Sequence, residues 1–187
     1  MTVLVMRESD MGGVARRELL GTLGAIGLAA GGADRALAQG AGPERLHSLP
    51  LEFAYEAIVT LAPATPVGKT PYGTRNRIPI TGGTFEGPRI RGKVLPGGMD
   101  WQLERPDGCL DVYADYMMQA EDGTLIHVIN KGLISRDPAR PYLRTIPWFE
   151  VPEGPHGWLN QSVFTGTIGA PPPGSGPAVR ITVYRIA

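Results

Sequence analysis

The chain has 187 residues, enough for one domain that buries roughly two-thirds of its unfolded surface. Its 18 Lys and Arg balance 18 Asp and Glu, which excludes the basic excess that tracking a nucleic-acid backbone requires. A lone cysteine, Cys109, excludes an intrachain disulfide, and the 26 Gly and 18 Pro lie at segment ends rather than in tracts, as in a turn-rich β protein.

The first segment reads Arg16-Arg17-Glu18-Leu19-Leu20, then a weakly apolar Gly- and Ala-rich run to Ala33, then Ala36-Leu37-Ala38, a small-x-small cleavage pattern. This predicts a twin-arginine-type signal peptide over residues 1–38 and a mature chain starting near Gln39. From Leu19 the apolar run is about 15 residues, short of the ~20 that span a bilayer, so membrane contact is expected only through the transient signal peptide. The destination is the periplasm or the exterior. Glu8 and Asp10 are foreign to a signal n-region, which makes Met6 or Met11 an alternative start. Residues 39–50 form a flexible lead-in, and residues 51–187 the folded domain.

From Leu51 to Leu61, Leu51, Phe53, Tyr55, Ala57, Val59 and Leu61 alternate with the intervening positions, a period of two that predicts a long first strand. Pro63 and Pro66 end it, because neither has an N–H for a ladder. A second strand is predicted over 74–81, with Arg75 and Arg77 on one face and Asn76, Ile78 and Ile80 on the other. The stretch PITGGTFEGPRIRGKVLPGGMDW follows. Its glycine pairs, Gly82-Gly83 and Gly97-Gly98, permit sharp turns or bulges, and the segment between them reads as a third strand over 84–95 of a strongly curved sheet. Further strands are predicted over 99–104, 109–119 and 124–131, separated by the turn sequences Pro106-Asp107-Gly108 and Glu121-Asp122-Gly123. Strands over 142–151, 158–168 and 178–186 complete the chain. No segment of the mature chain has a helical period. Eight or nine strands at intervals of about ten residues predict an all-β, closed antiparallel barrel of about eight strands, with a sandwich as the alternative.

Such a barrel encloses side chains or one small ligand, so the chemistry lies in its inward polar groups. Unbroken alternation over 84–95 places Glu86 with Ile90 and Val94 on the apolar face, where desolvation would raise its pKa towards neutrality and make it a catalytic acid or base. Tyr116 falls on the apolar face of its strand as a second catalytic candidate. The ligand-binding candidates are Arg75 at the barrel mouth, Asp100 at the rim or capping a turn, Trp101 as core, Asn130 beside Ile126 and Val128, and a wall of Trp158, Asn160 and Phe164. Arg77 accompanies Arg75. His47, His127 and His156 lack the close spacing of a metal site, and neither phosphate loop nor dinucleotide fingerprint is present, so no metal or cofactor is expected. Cys109 reads as a packed thiol without a neighbouring base.

The run PITGGTFEGPRIRGKVLPGGMDWQLERPDG, together with Glu121-Asp122-Gly123, Asn130-Lys131-Gly132 and Trp158-Leu159-Asn160, resembles domain of unknown function family 3237, over about residues 51–186. The resemblance implies a lipocalin-like or allene-oxide-cyclase-like barrel and no particular activity. Tyr113 stands where an acidic residue is expected in that family, so no role is carried onto it. Two functional readings follow. One is a cofactor-independent isomerase, cyclase or lyase that moves a proton on a small hydrophobic or aromatic oxygenated molecule. The other is a non-catalytic periplasmic carrier of such a molecule, and either could form a homo-oligomer.

Overall fold

The computed structural model describes residues 49–139 and 141–187, so the predicted signal peptide and most of the predicted lead-in lie outside the described residues. Ten strands form one antiparallel sheet: β1 (Leu51–Leu61), β2 (Thr65–Thr70), β3 (Gly73–Glu86), β4 (Arg91–Val94), β5 (Met99–Glu104), β6 (Cys109–Ala120), β7 (Leu125–Ser135), β8 (Tyr142–Glu150), β9 (Val163–Gly169) and β10 (Ala178–Ile186). The sheet runs β6, β7, β8, β9, β10 and β1, and the pairing of β1 with β3 closes it. Ten strands make eight staves, because β1 continues into β2 along one side of β3 while β4 and β5 share the other.

Two devices let β3 serve both neighbours along its whole length. Its ladder to β1 skips a residue between the Thr60–Gly82 and Leu61–Ile80 pairs, a bulge for which Gly82 and Gly83 adopt φ of 142° and 140°. Ile78 and Ile80 point inward before the bulge, and Phe85 after it. Past Val94 the chain turns at Gly97, held to β3 by Gly97 N–H donating to Ile80 O (3.1 Å) and Ile80 N–H donating to Gly98 O (2.9 Å). The glycine-paired stretch is therefore the corner of the barrel.

The interior is filled unevenly. At the end where β4 starts and β8 stops, the Gly157–Leu159 turn of 3-10 helix stoppers the barrel, with Leu159, Ile90, Val151 and Ala54 all buried. Above this plug Tyr55 meets Phe85 and Phe149 edge-on at 5.7 and 6.1 Å, and Phe149 meets Phe164 at 4.9 Å, spacings at which aromatic rings attract beyond their buried area. Towards the other end, the mouth, the inward positions Gln102, Ile134, Ile168 and Val179 are only half-buried, so this end is the more accessible to solvent.

Tyr55 carries a polar atom into the aromatic half, since its hydroxyl is buried and has no hydrogen-bond partner among the described residues. Burial holds the Tyr55 phenol protonated and its neighbour Tyr116 adds to the effect, but the two hydroxyls do not meet in bonding geometry. Burying an unbonded hydroxyl costs about 1–3 kcal/mol. Tyr55→Phe is therefore expected to leave the fold intact and to raise stability by about 1 kcal/mol in urea denaturation; a loss of that size would mean that the hydroxyl is satisfied.

Candidate functional site

The register lines up the inward side chains of the open half. Ile78, Asp100, Ala114, Asn130 and Pro147 lie side by side across β3, β5, β6, β7 and β8. Directly opposed residues on one face have Cβ atoms about 5 Å apart, so Asp100 and Asn130 flank the single methyl of Ala114. One step towards the mouth, Asn76 pairs with Gln102, and Gly132 pairs with Thr145. One step towards the plug, Tyr116 pairs with Val128, which pairs with Phe149.

Asp100 is the reactive group of this row. Its carboxylate accepts hydrogen bonds from Gln102 Nε2 at 2.8 Å and from the Tyr113 backbone N–H at 3.2 Å. The second bond takes a strand donor, and the β5–β6 ladder is correspondingly interrupted between Asp100–Ala114 and Leu103–Asp111. Desolvation raises the Asp100 pKa above the ordinary carboxylate value, and the two hydrogen bonds only partly offset it. Around it the Oδ1 atoms of Asn76 and Asn130 and the Oγ1 of Thr145 are buried without a hydrogen-bond partner among the described residues. Buried amide and hydroxyl oxygens are nearly always paired, so three orphans on adjacent levels of one wall mark a surface that is chemically incomplete by itself. Tyr116 is buried, and desolvation pushes its pKa upward, so its phenol keeps its proton and serves as a donor.

Several expectations need correction. Glu86 is outside the barrel with 77% of its side chain exposed, 4.0 Å from Arg91. The 84–95 segment is a hairpin, closed by Gly87 N–H donating to Ile90 O, and its four-residue turn reverses the alternation, so that Phe85 and Val94 face inward while Glu86 opposes Arg91 outside. Trp101 is 40% exposed on the outer face opposite Arg77, and it is Asp100 that faces in. Arg75 shares that outer face, opposite Leu103, and does not reach the interior. Trp158 and Asn160 belong to the plug. Arg89 lies over the Trp158 ring at 4.5 Å, and Asn160 clamps Val151 by accepting from its N–H (3.0 Å) and donating to its carbonyl (2.7 Å). Phe164 is buried core against Phe149. Of the residues singled out, Asp100, Tyr116 and Asn130 share the inner wall. Asn76, Gln102, Thr145 and Tyr55 join them; Asn76 and Gln102 were marked only by a polar residue recurring at a period of two among inward positions.

Clefts among the described residues lie elsewhere on the surface. One of about 40 Å³ lies between Phe53, Pro88, Arg89 and Trp158, and an open groove of about 730 Å³ follows the β3–β4 hairpin and the β6–β7 turn. Neither contains Asp100 or its polar neighbours.

A closed antiparallel barrel, plugged at one end and lined at the other by a half-buried acid among buried amides, defines a small β-barrel protein with a polar half-interior. The chain belongs to the family of proteins of unknown function designated DUF3237, whose model matches residues 49–186. A UPF0311 protein of Rhodopseudomonas palustris strain TIE-1 is 32% identical over 134 residues, 64% of this chain and 88% of the relative. A β-barrel-like protein of Acinetobacter baumannii superposes with a TM-score of 0.69 at 29% identity, covering 78% of this chain and 100% of that one. A hydroalkoxylation enzyme of Penicillium herquei is 29% identical over 117 residues, 63% of this chain and 72% of the enzyme. An enzyme structure from the same fungus shares the fold at a TM-score of 0.63 and 24% identity, covering 78% of this chain and 99% of that one.

Proposed function

We propose that this barrel is a cofactor-independent enzyme that receives a small hydrophobic or aromatic, oxygenated molecule at its open half and isomerises it by proton transfer through Asp100. The observation that carries the reading is a carboxyl with a raised pKa in the inner wall, flanked by amide oxygens that have no partner among the described residues. The relative named for hydroalkoxylation supplies the reaction type, addition of a hydroxyl across a carbon–carbon double bond. Protonated Asp100 gives its proton to one alkene carbon, the substrate oxygen bonds to the other, and the hydroxyl proton returns to the carboxylate. No atom is gained or lost. Asn76 and Asn130 accept from substrate hydroxyls, and Tyr116 donates to a substrate oxygen.

The test is a panel of alkenes bearing a hydroxyl within ring-closing reach, followed by liquid chromatography and mass spectrometry. A product of unchanged mass and new retention is expected with the wild-type protein and not with Asp100→Asn. A carrier would bind panel members and return them unchanged, and that outcome would replace the enzymatic reading.

We also propose that the barrel works after export. The support is the Arg16-Arg17 pair, the apolar run behind it and the Ala36-Leu37-Ala38 site. Changing both arginines to lysine is expected to leave the uncleaved chain in the cytoplasm of a host with a twin-arginine translocase. Equal periplasmic yield from both forms would end this reading.

A further inference from the structure

The outer face of β8 does not look like the outside of a monomer. Its exposed row reads Tyr142, Arg144, Ile146, Trp148 and Glu150, while Thr145, Pro147 and Phe149 fill the inside. Closing the barrel needs only that inner row. Yet Ile146 is 66% and Trp148 54% exposed at the centre of the outer one, and Tyr142 is 48% exposed at its end. Contiguous apolar surface of this kind marks an interaction site.

The charges around this row identify its occupant. One end is basic: Arg144 rests over the Tyr142 ring at 5.5 Å and Lys131, paired with Ile146 on the neighbouring strand, over the Tyr113 ring at 5.4 Å. Among the described residues neither cation forms an ion pair. The other end is acidic: Glu150 and Asp115 gather about His127, at 3.8 and 2.8 Å. A row that is basic at one end, acidic at the other and apolar between is complementary to itself when turned end for end. A twofold axis at Pro147 sets Ile146 against Trp148 of the partner subunit and Arg144 against Glu150 of the partner subunit, twice over.

We propose that the protein is a twofold dimer joined through the outer face of β8. The aromatic and aliphatic centre excludes water, and the paired ends fix the antiparallel orientation. The interface uses the outer row of β8, and the inner row that lines the interior takes no part in it.

The test is light scattering of the full chain after size exclusion over a concentration series, with circular dichroism to verify the fold of each variant. The wild type is expected at twice the chain mass and Trp148→Glu at the chain mass. Arg144→Glu and Glu150→Arg should each raise the dimer dissociation constant by roughly tenfold or more, and the double variant should recover most of that loss, because each end again meets its opposite. A wild type at the chain mass throughout overturns the proposal. So does a dimer that ignores both charge reversals, which would place the interface elsewhere. Binding of the monomer to phosphatidylglycerol vesicles, abolished by Trp148→Glu, would instead assign the face to a lipid surface.

Discussion

Asp100→Asn is expected to lower turnover of a ring-closing hydroxyalkene by a factor on the order of 10²–10⁴, the contribution of a positioned acid or base, while changing KM only a few-fold. Asn keeps the shape of the side chain. Its Oδ1 can still accept from the Tyr113 N–H, and rotation of the Gln102 amide by half a turn presents a carbonyl to the new Nδ2, so both existing contacts are preserved. Only the transferable proton is lost. In the wild type the acid must be protonated to start the reaction, so kcat/KM should fall as pH rises through the raised pKa of Asp100. Residual activity of the variant should lack that limb. Unchanged turnover in Asp100→Asn would remove Asp100 from the reaction, whatever the rest of the barrel does.

The same substitution has a second readout that does not depend on substrate. Burial holds the folded-state pKa of Asp100 above the ordinary carboxylate value, so in the unfolded chain it gives up its proton first. Its contribution to stability is complete below that value and declines as pH rises through the folded-state pKa. Asp107 and Asp122, whose pKa values are lowered chiefly by backbone N–H donors at their turns, behave in the opposite way, with stability lost as pH falls. Both remain in the variant and cancel in a comparison. The melting temperature of Asp100→Asn should therefore rise relative to wild type between acid and neutral pH. On the proposed reaction, the acid is kept in the inner wall at a cost in stability.

What the sequence made legible followed from alternation inside one strand. Cys109–Ala120 keeps an uninterrupted period of two, and that strand, along with the inward positions of Tyr116 and Asn130, could be read directly, whereas in Leu51–Leu61 the alternation holds only from Tyr55 onward, because a bulge between Phe53 and Tyr55 leaves Leu51 and Phe53 exposed and buries Ala54. The reading failed wherever one residue changed the parity. The four-residue turn after Glu86 moved that carboxylate outside, although its strand-like surroundings looked continuous. At Asp100 and Trp101 the hydrophobic rule favoured the indole for the interior, but pairing with Ile78 fixed Asp100 there and left Trp101 outside opposite Arg77. Trp158 and Asn160 were assigned to a strand because a plug is defined by what it closes. No local pattern announces a 3-10 turn whose amide must clamp Val151 nine residues earlier. That β4 and β5 share one stave is likewise a property of the closed sheet.

Gly83→Ala is expected to cost about 3–5 kcal/mol, enough to leave little folded protein at ambient temperature. Two separate penalties combine there. The φ of 140° is one that an L side chain adopts only under strain, and a Cβ at this position would lie 2.1 Å from the Ile58 carbonyl oxygen on β1. That oxygen belongs to the ladder that closes the barrel, so neither strand can retreat without opening the β1–β3 seam. Gly97→Ala separates the two terms. Gly97 also has a positive φ, 104°, but a Cβ there would meet nothing within 4 Å, so the cost should be only about 1 kcal/mol. Urea denaturation of the two variants side by side measures the difference. Equal losses would mean that the glycine pair is required for its dihedral angles alone. A larger loss at Gly83 means that the corner is set by the close approach of two backbones, and with it the turn of β3 that carries Ile78 and Asn76 to their places beside Asp100 and Gln102.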